Sequence, residues 1–72
     1  MSTPIRVLDV VALTEDLPEH GLRRGQVGTV VEVLAASVFE VEFSDNQGRS
    51  YAFLALRAEQ LMVLHHQPAK LA

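Results

Sequence analysis

The chain has no cysteine and no tryptophan, and only one tyrosine and three phenylalanines. Without cysteine there are no disulfides, no thiolate metal site and no cysteine nucleophile. Basic residues are scarce as well: six Lys and Arg stand against nine Asp and Glu, for a formal charge of -3. Neutralising phosphates supplies most of the nonspecific affinity for nucleic acids, so this balance argues against them as partners. No apolar run approaches the roughly 20 residues of a membrane span, and Met1 to Pro4 lack a charged and then apolar leader, so a cytoplasmic location without membrane attachment is expected.

What remains is 72 residues, 49% of them apolar, enough for one domain. Folded chains of about 60 residues bury only about 60% of the surface their unfolded chain exposes, so a core of this size is marginal unless something supplements it. With disulfides excluded, burial against another chain is the supplement left.

Apolar residues fall in short runs separated by Gly, Pro, Asp and Asn, the pattern of strands. Five are expected, at residues 7–13, 27–34, 38–43, 50–56 and 60–64. Thr14 to Gln26, with Pro18, Gly21 and Gly25, reads as a long irregular loop with a helical turn at Glu15 to Leu17. Ala35 to Ser37 reads as a three-residue hairpin loop, and Arg57 to Glu59 as a 3₁₀ turn. The domain then covers residues 1–64, followed by a flexible tail over 65–72.

This order is that of a small all-β, five-stranded SH3-like barrel with a long first loop and a 3₁₀ turn before the last strand. Closure would remove edge strands that otherwise template aggregation. Gly28 fits, because a glycine inside a strand is costly unless the strand bends or a second backbone comes close. Gly21, Gly25 and Gly48 are read as turn glycines.

Ser44 to Arg49 suits a type I turn followed by a left-handed residue, with Asp45 and Arg49 as the closing pair and Gly48 as the bulge. That register sets Phe43 across from Tyr51 and Val41 across from Phe53, with the aromatics facing inward. A plain four-residue loop would turn Tyr51 and Phe53 outward. The inward reading is preferred because a small core needs its few aromatics. In the first hairpin, Leu34 pairs with Val38, Val33 with Phe39, Glu32 with Glu40 and Val31 with Val41. Val31, Val33, Phe39, Val41 and Phe43 then form the core face, while Glu32, Glu40 and Glu42 point out as a solvated or partner-accepting acidic ridge.

The chain resembles a family of small bacterial proteins classed as a domain of unknown function. Three segments carry the likeness: Asp9-x-Val11-x-Leu13, Leu17-Pro18-Glu19-x-Gly21-Leu22-x-x-Gly25-x-x-Gly28-Thr29-Val30-Val31, and Val41-Glu42-Phe43-x-Asp45-x-x-Gly48. The resemblance implies an SH3-like barrel. It also implies an accessory role, with some members beside toxin-like proteins, hence a partner-binding or antitoxin-like function. A looser similarity to KOW-type modules and to the nitrile hydratase beta-subunit barrel rests on a Gly-x-x-Gly-x-Val turn that any small barrel needs.

Catalytic and ligand chemistry finds little support. Ser37, Ser44 and Ser50 lack a nucleophile-elbow context, and no glycine-rich phosphate loop precedes a helix. His20 has no second ligand at a recognised spacing, and His65 and His66, being adjacent, point apart in an extended segment. No enzyme activity, cofactor or metal is expected, and so small a domain is expected to lack the concave volume of an active site.

Protein contact has the best support. If Val11 and Leu13 face the core, Leu8, Val10 and Ala12 face out, with Ala52 and Leu54 doing likewise on the fourth strand and the Leu61 to Leu64 run adding to the surplus. The expected interface is Leu8, Val10 and Leu54, rimmed by Glu32, Glu40, Glu42 and the Arg23-Arg24 loop. Its occupant would be another protein or a second copy. The alternative is an RNA-associated KOW-type barrel.

Overall fold

The structure, a computed structural model, describes residues 4–65. These form one antiparallel sheet of five strands, β1 (Val10–Leu13), β2 (Val27–Ala35), β3 (Val38–Ser44), β4 (Ser50–Arg57) and β5 (Leu61–Val63). The order across the sheet is β4-β3-β2-β1-β5. β1 starts at Val10 rather than at residue 7 because Arg6 to Asp9 fold into a turn: the Asp9 amide donates to the Arg6 carbonyl (3.0 Å) and the Arg6 amide to Asp9 Oδ2 (2.8 Å). The expected flexible tail, apart from His65, lies outside the described residues.

All five strands contribute to one apolar cluster: Val11, Leu13, Val30, Phe39, Val41, Phe43, Leu56 and Leu61, joined by Leu17 and Leu22. A flat sheet cannot bring its two edge strands onto one cluster, so the sheet is coiled around its inner face. Gly28 lies where β1, β2 and β3 run together, opposite Val11 and Phe43.

The long loop supplies the plug. Leu17 and Leu22 bridge each other and are buried, while Pro18–His20 between them form a 3₁₀ turn and Gly21 follows at φ +68°. The helical turn thus lies just beyond the expected Glu15 to Leu17, because Leu17 is drawn into the core and Pro18 suits the first helical position. The second 3₁₀ turn, Ala58–Gln60, is one residue later than expected. Gln60 reaches back to accept from the Arg57 amide (2.9 Å) and donates to Glu15 Oε2 (3.1 Å), so this buried polar side chain is satisfied.

The turn between β3 and β4 has the expected closing pair: the Asp45 amide donates to the Arg49 carbonyl (2.8 Å), Asp45 Oδ1 accepts from the Gln47 and Arg49 amides, and Gly48 is left-handed at φ +81°. The pairing beyond it differs from expectation. Ser44 stands opposite Ser50 and Phe43 opposite Ala52, leaving Tyr51 as the extra residue of a bulge. From there Glu42 faces Phe53 and Val41 faces Leu54. Tyr51 and Phe53 are therefore exposed, and Ala52, Leu54 and Leu56 form the inner row of β4. The aromatic pairings of Phe43 with Tyr51 and Val41 with Phe53 are corrected, although the Tyr51 ring still lies 6.5 Å from that of Phe43.

A second bulge falls in β2. Val33 opposes Phe39 and Glu32 opposes Glu40 as expected, but Val30, not Val31, opposes Val41. Val30 is accordingly fully buried and Val31 only partly so, while Val33 shares the Phe39 side at the rim, half exposed. The loop joining β2 and β3 is the two residues Ala36 and Ser37, because Ala35 rather than Leu34 pairs with Val38.

Candidate interaction surface

Outward-facing positions of β1 and its two neighbours follow from the register. Val10 is beside Thr29 on β2, and Ala12 lies between Val27 on β2 and Met62 on β5. Val27 is 47% exposed and Met62 55%, flanking a buried Ala12 whose methyl group fills the floor between them. Three adjacent strands thus present apolar side chains on the face turned away from the core.

Leu8 stands at the N-terminal end of this surface, 75% exposed and held at φ +78°. Its amide donates to the Val30 carbonyl (2.7 Å), which fixes the turn against β2. The left-handed region costs a branched side chain about 1–2 kcal/mol, and no burial of the Leu8 side chain offsets this cost. Glycine at this position removes that strain at an entropic cost of about 0.5–1 kcal/mol. Leu8→Gly is therefore expected to leave stability unchanged or raise it by up to about 1 kcal/mol, measured by urea denaturation. A loss of several kcal/mol would place Leu8 in the core instead.

The acidic ridge lies further across the same face. Glu32 opposes Glu40, and Glu42 sits between Thr29 and Phe53. Glu42 accepts a hydrogen bond from the Ser50 hydroxyl. Among the described residues the ion pairs are Asp45 with Arg49 and Arg57 with Glu59, so none of the three ridge carboxylates has a basic partner there.

The expected interface is only partly assembled. Val10 is on the outer face and Leu8 at its end, next to the Glu32 end of β2. Leu54 is not part of it: opposite Val41, it packs half-buried against the core, because the bulge at Tyr51 shifts the inward row of β4 by one residue. Arg23 and Arg24 do not rim it near Leu8 either. Their loop is tied to the far end of β1 by the Gly25 amide donating to the Leu13 carbonyl (2.8 Å), and Asp16 Oδ1 accepts from the Arg24 amide (2.8 Å). Val27 and Met62 are what sequence reasoning left out of the set. The signal for Met62 was present in the Leu61 to Leu64 run, whereas Val27 was hidden by an unbroken alternation through Val31.

At the end of the sheet, an open cleft of about 540 Å³ runs between the N-terminal segment, the β2–β3 loop and β5, lined by Ile5, Val33, Phe39, Leu61, Val63 and Ser37 among others. Concave space is therefore present, contrary to expectation, and its wall is about equally polar and apolar. Among the described residues no group of three His, Asp or Glu side chains is placed to hold a metal ion.

Residues 7–63 match the domain of unknown function DUF4926, which spans 57 of the 72 residues and all three motif segments. The chain belongs to the DUF4926 family. No curated protein and no solved structure matches it. The family is one of unknown function, so membership assigns no role to any side chain of this DUF4926 chain. Among the described residues no helix is long and apolar enough to cross a membrane.

Proposed function

We propose that this DUF4926 protein is a noncatalytic interaction module that works by contact through the outer face of β1, β2 and β5. One observation carries the reading: Val27 and Met62, both about half exposed, flank Ala12 in an apolar band across three hydrogen-bonded strands. Interfaces have this composition, an apolar centre free of charge with a polar rim; Leu8 extends the apolar band at one end, and the Glu32/Glu40/Glu42 ridge supplies the rim. Its occupant is a protein with a matching apolar patch and basic side chains for the ridge. The accessory or antitoxin-like role that the family resemblance implies would use this same surface in the cytoplasm.

The test is capture from lysate with Val27→Lys/Met62→Lys beside the unaltered chain. Both residues are exposed, so the variant is expected to fold with an unchanged circular dichroism spectrum and to hold a specific partner at least about tenfold more weakly, equivalent to about 1.4 kcal/mol. Equal retention of every bound protein by the two chains would overturn the reading.

The exposure of Tyr51 and Phe53 offers a second reading, an RNA-associated barrel stacking bases on these rings. The electrostatics oppose it, since Glu42 is the direct neighbour of Phe53.

A further inference from the structure

We infer that the free edge of β4 pairs with the β4 of a second copy, antiparallel and two-fold symmetric about Leu54, with Phe53 of each copy hydrogen-bonded to Ala55 of the other. This goes beyond the outer-face contact and uses different groups.

Which backbone groups of β4 are free follows from the ladder. In an antiparallel strand each residue turns both its N–H and its C=O to one side, and successive residues alternate. Val30 turns toward β1, since its amide donates to the Asp9 carbonyl (2.9 Å) and its carbonyl accepts from the Leu8 amide. Val41 opposite it therefore turns toward β4, and Leu54, paired with Val41, turns toward β3. Phe53 and Ala55 must then point away from β3, into open space. The other end of the strand confirms the alternation: the Arg57 amide also points away, where Gln60 Oε1 takes it. Between the Tyr51 bulge and the Gln60 cap, Phe53 and Ala55 thus present two donors and two acceptors without partners among the described residues.

An unpaired strand edge templates another strand, and the question is which one. β4 carries no proline and no lysine, and Arg57 at its end is its one charged residue. About a two-fold axis through Leu54, Phe53 meets Ala55 of the second copy in a hydrogen-bonded pair, and Ala55 meets its Phe53. All four free groups on each copy are satisfied in this one register. On the outer face a large side chain lies opposite a small one twice over. Arg57 falls opposite Tyr51 of the second copy rather than opposite another arginine, and a guanidinium is favoured over an aromatic ring. An isologous contact requires this self-complementarity. The opposite edge, β5, has only three residues.

Sedimentation velocity over a concentration series up to about a millimolar, where a small interface associates, tests the pairing with Ala55→Pro. The Ala55 amide gives no bond to β3, so proline there keeps the β3–β4 ladder and removes a donor only from the edge. The unaltered chain is expected to dimerise, Ala55→Pro to weaken dimerisation at least about tenfold, and Val27→Lys/Met62→Lys to leave it intact. Amide exchange needs no variant: protection of Phe53 and Ala55 is expected to rise with concentration. A chain monomeric throughout, protection rising at β5 instead, or a folded Ala55→Pro that dimerises normally would overturn the pairing. Dimerisation lost in the Val27/Met62 variant but kept in Ala55→Pro would overturn it while supporting the outer-face contact.

Discussion

Phe43→Ala is expected to lower the thermal midpoint by roughly 15–30 °C, the largest effect of any single truncation in the chain. Phe43 is the largest fully buried side chain, and its cross-strand neighbours are Gly28 and Ala52. Those two small residues leave the room that the ring fills. Removing it opens a cavity lined by backbone of three strands, which has little freedom to collapse. Truncating a buried phenylalanine costs about 3–5 kcal/mol. At about 0.05–0.15 kcal/mol per residue, a chain of this length has only about 4–11 kcal/mol of stability in total. Each kcal/mol moves the midpoint of so small a domain by about 4–8 °C. Circular dichroism melts of Phe43→Ala and Phe53→Ala check the assignment together. Phe53 is 56% exposed, so its truncation should cost no more than about 1 kcal/mol. Equal losses would mean that the two rows of β4 have been exchanged.

That contrast marks how far the sequence could be read. The strand positions, the order leading to β5, the close approach at Gly28 and the Asp45–Arg49 turn were all legible, because turn residues and apolar runs encode them locally. The facing of β4 was not. It depends on one extra residue, and that residue is Tyr51, a good strand former with nothing in its type to mark a bulge. The same holds for Val31 in β2, which is β-branched and ends a run of β-branched strand formers from Thr29 to Val31. Because side chains alternate with period 2, each bulge exchanges every inward position beyond it for an outward one. Leu54 left the candidate surface and Val27 entered it for this reason alone. Val10 and Met62 needed no such correction, since β1 and β5 have no register shift between them. The loop residues Leu17 and Leu22 were visible as apolar positions, but their bridging across Pro18–His20 is a tertiary outcome, fixed by the space left open under the coiled sheet.

Gly28→Ala is expected to destabilise the fold by about 1–3 kcal/mol, although alanine suits a strand better than glycine does. A Cβ at Gly28 would stand 2.7 Å from Val41 Cγ1, 2.8 Å from the Glu42 carbonyl oxygen and 3.0 Å from Phe43 Cδ1. The two side chains could turn or shift. The Glu42 oxygen is backbone, and Glu42 pairs with Thr29, the residue next to Gly28. Relief therefore requires β2 and β3 to separate at the point where Gly28 is paired with both Val11 and Phe43. Against this stands a gain of about 0.4–1 kcal/mol from the stiffer unfolded chain, too small to reverse the sign. Gly48→Ala provides the comparison: open space surrounds it, and only its φ of +81° resists a side chain, for a cost of about 1 kcal/mol. The two substitutions also differ in where the damage falls. Gly48→Ala should loosen amides of the Asp45–Arg49 turn alone, whereas Gly28→Ala should lose exchange protection at Thr29 and Glu42. Full protection there in a Gly28→Ala chain as stable as the parent would mean that β2 and β3 do not approach as closely as the coiling of this sheet requires.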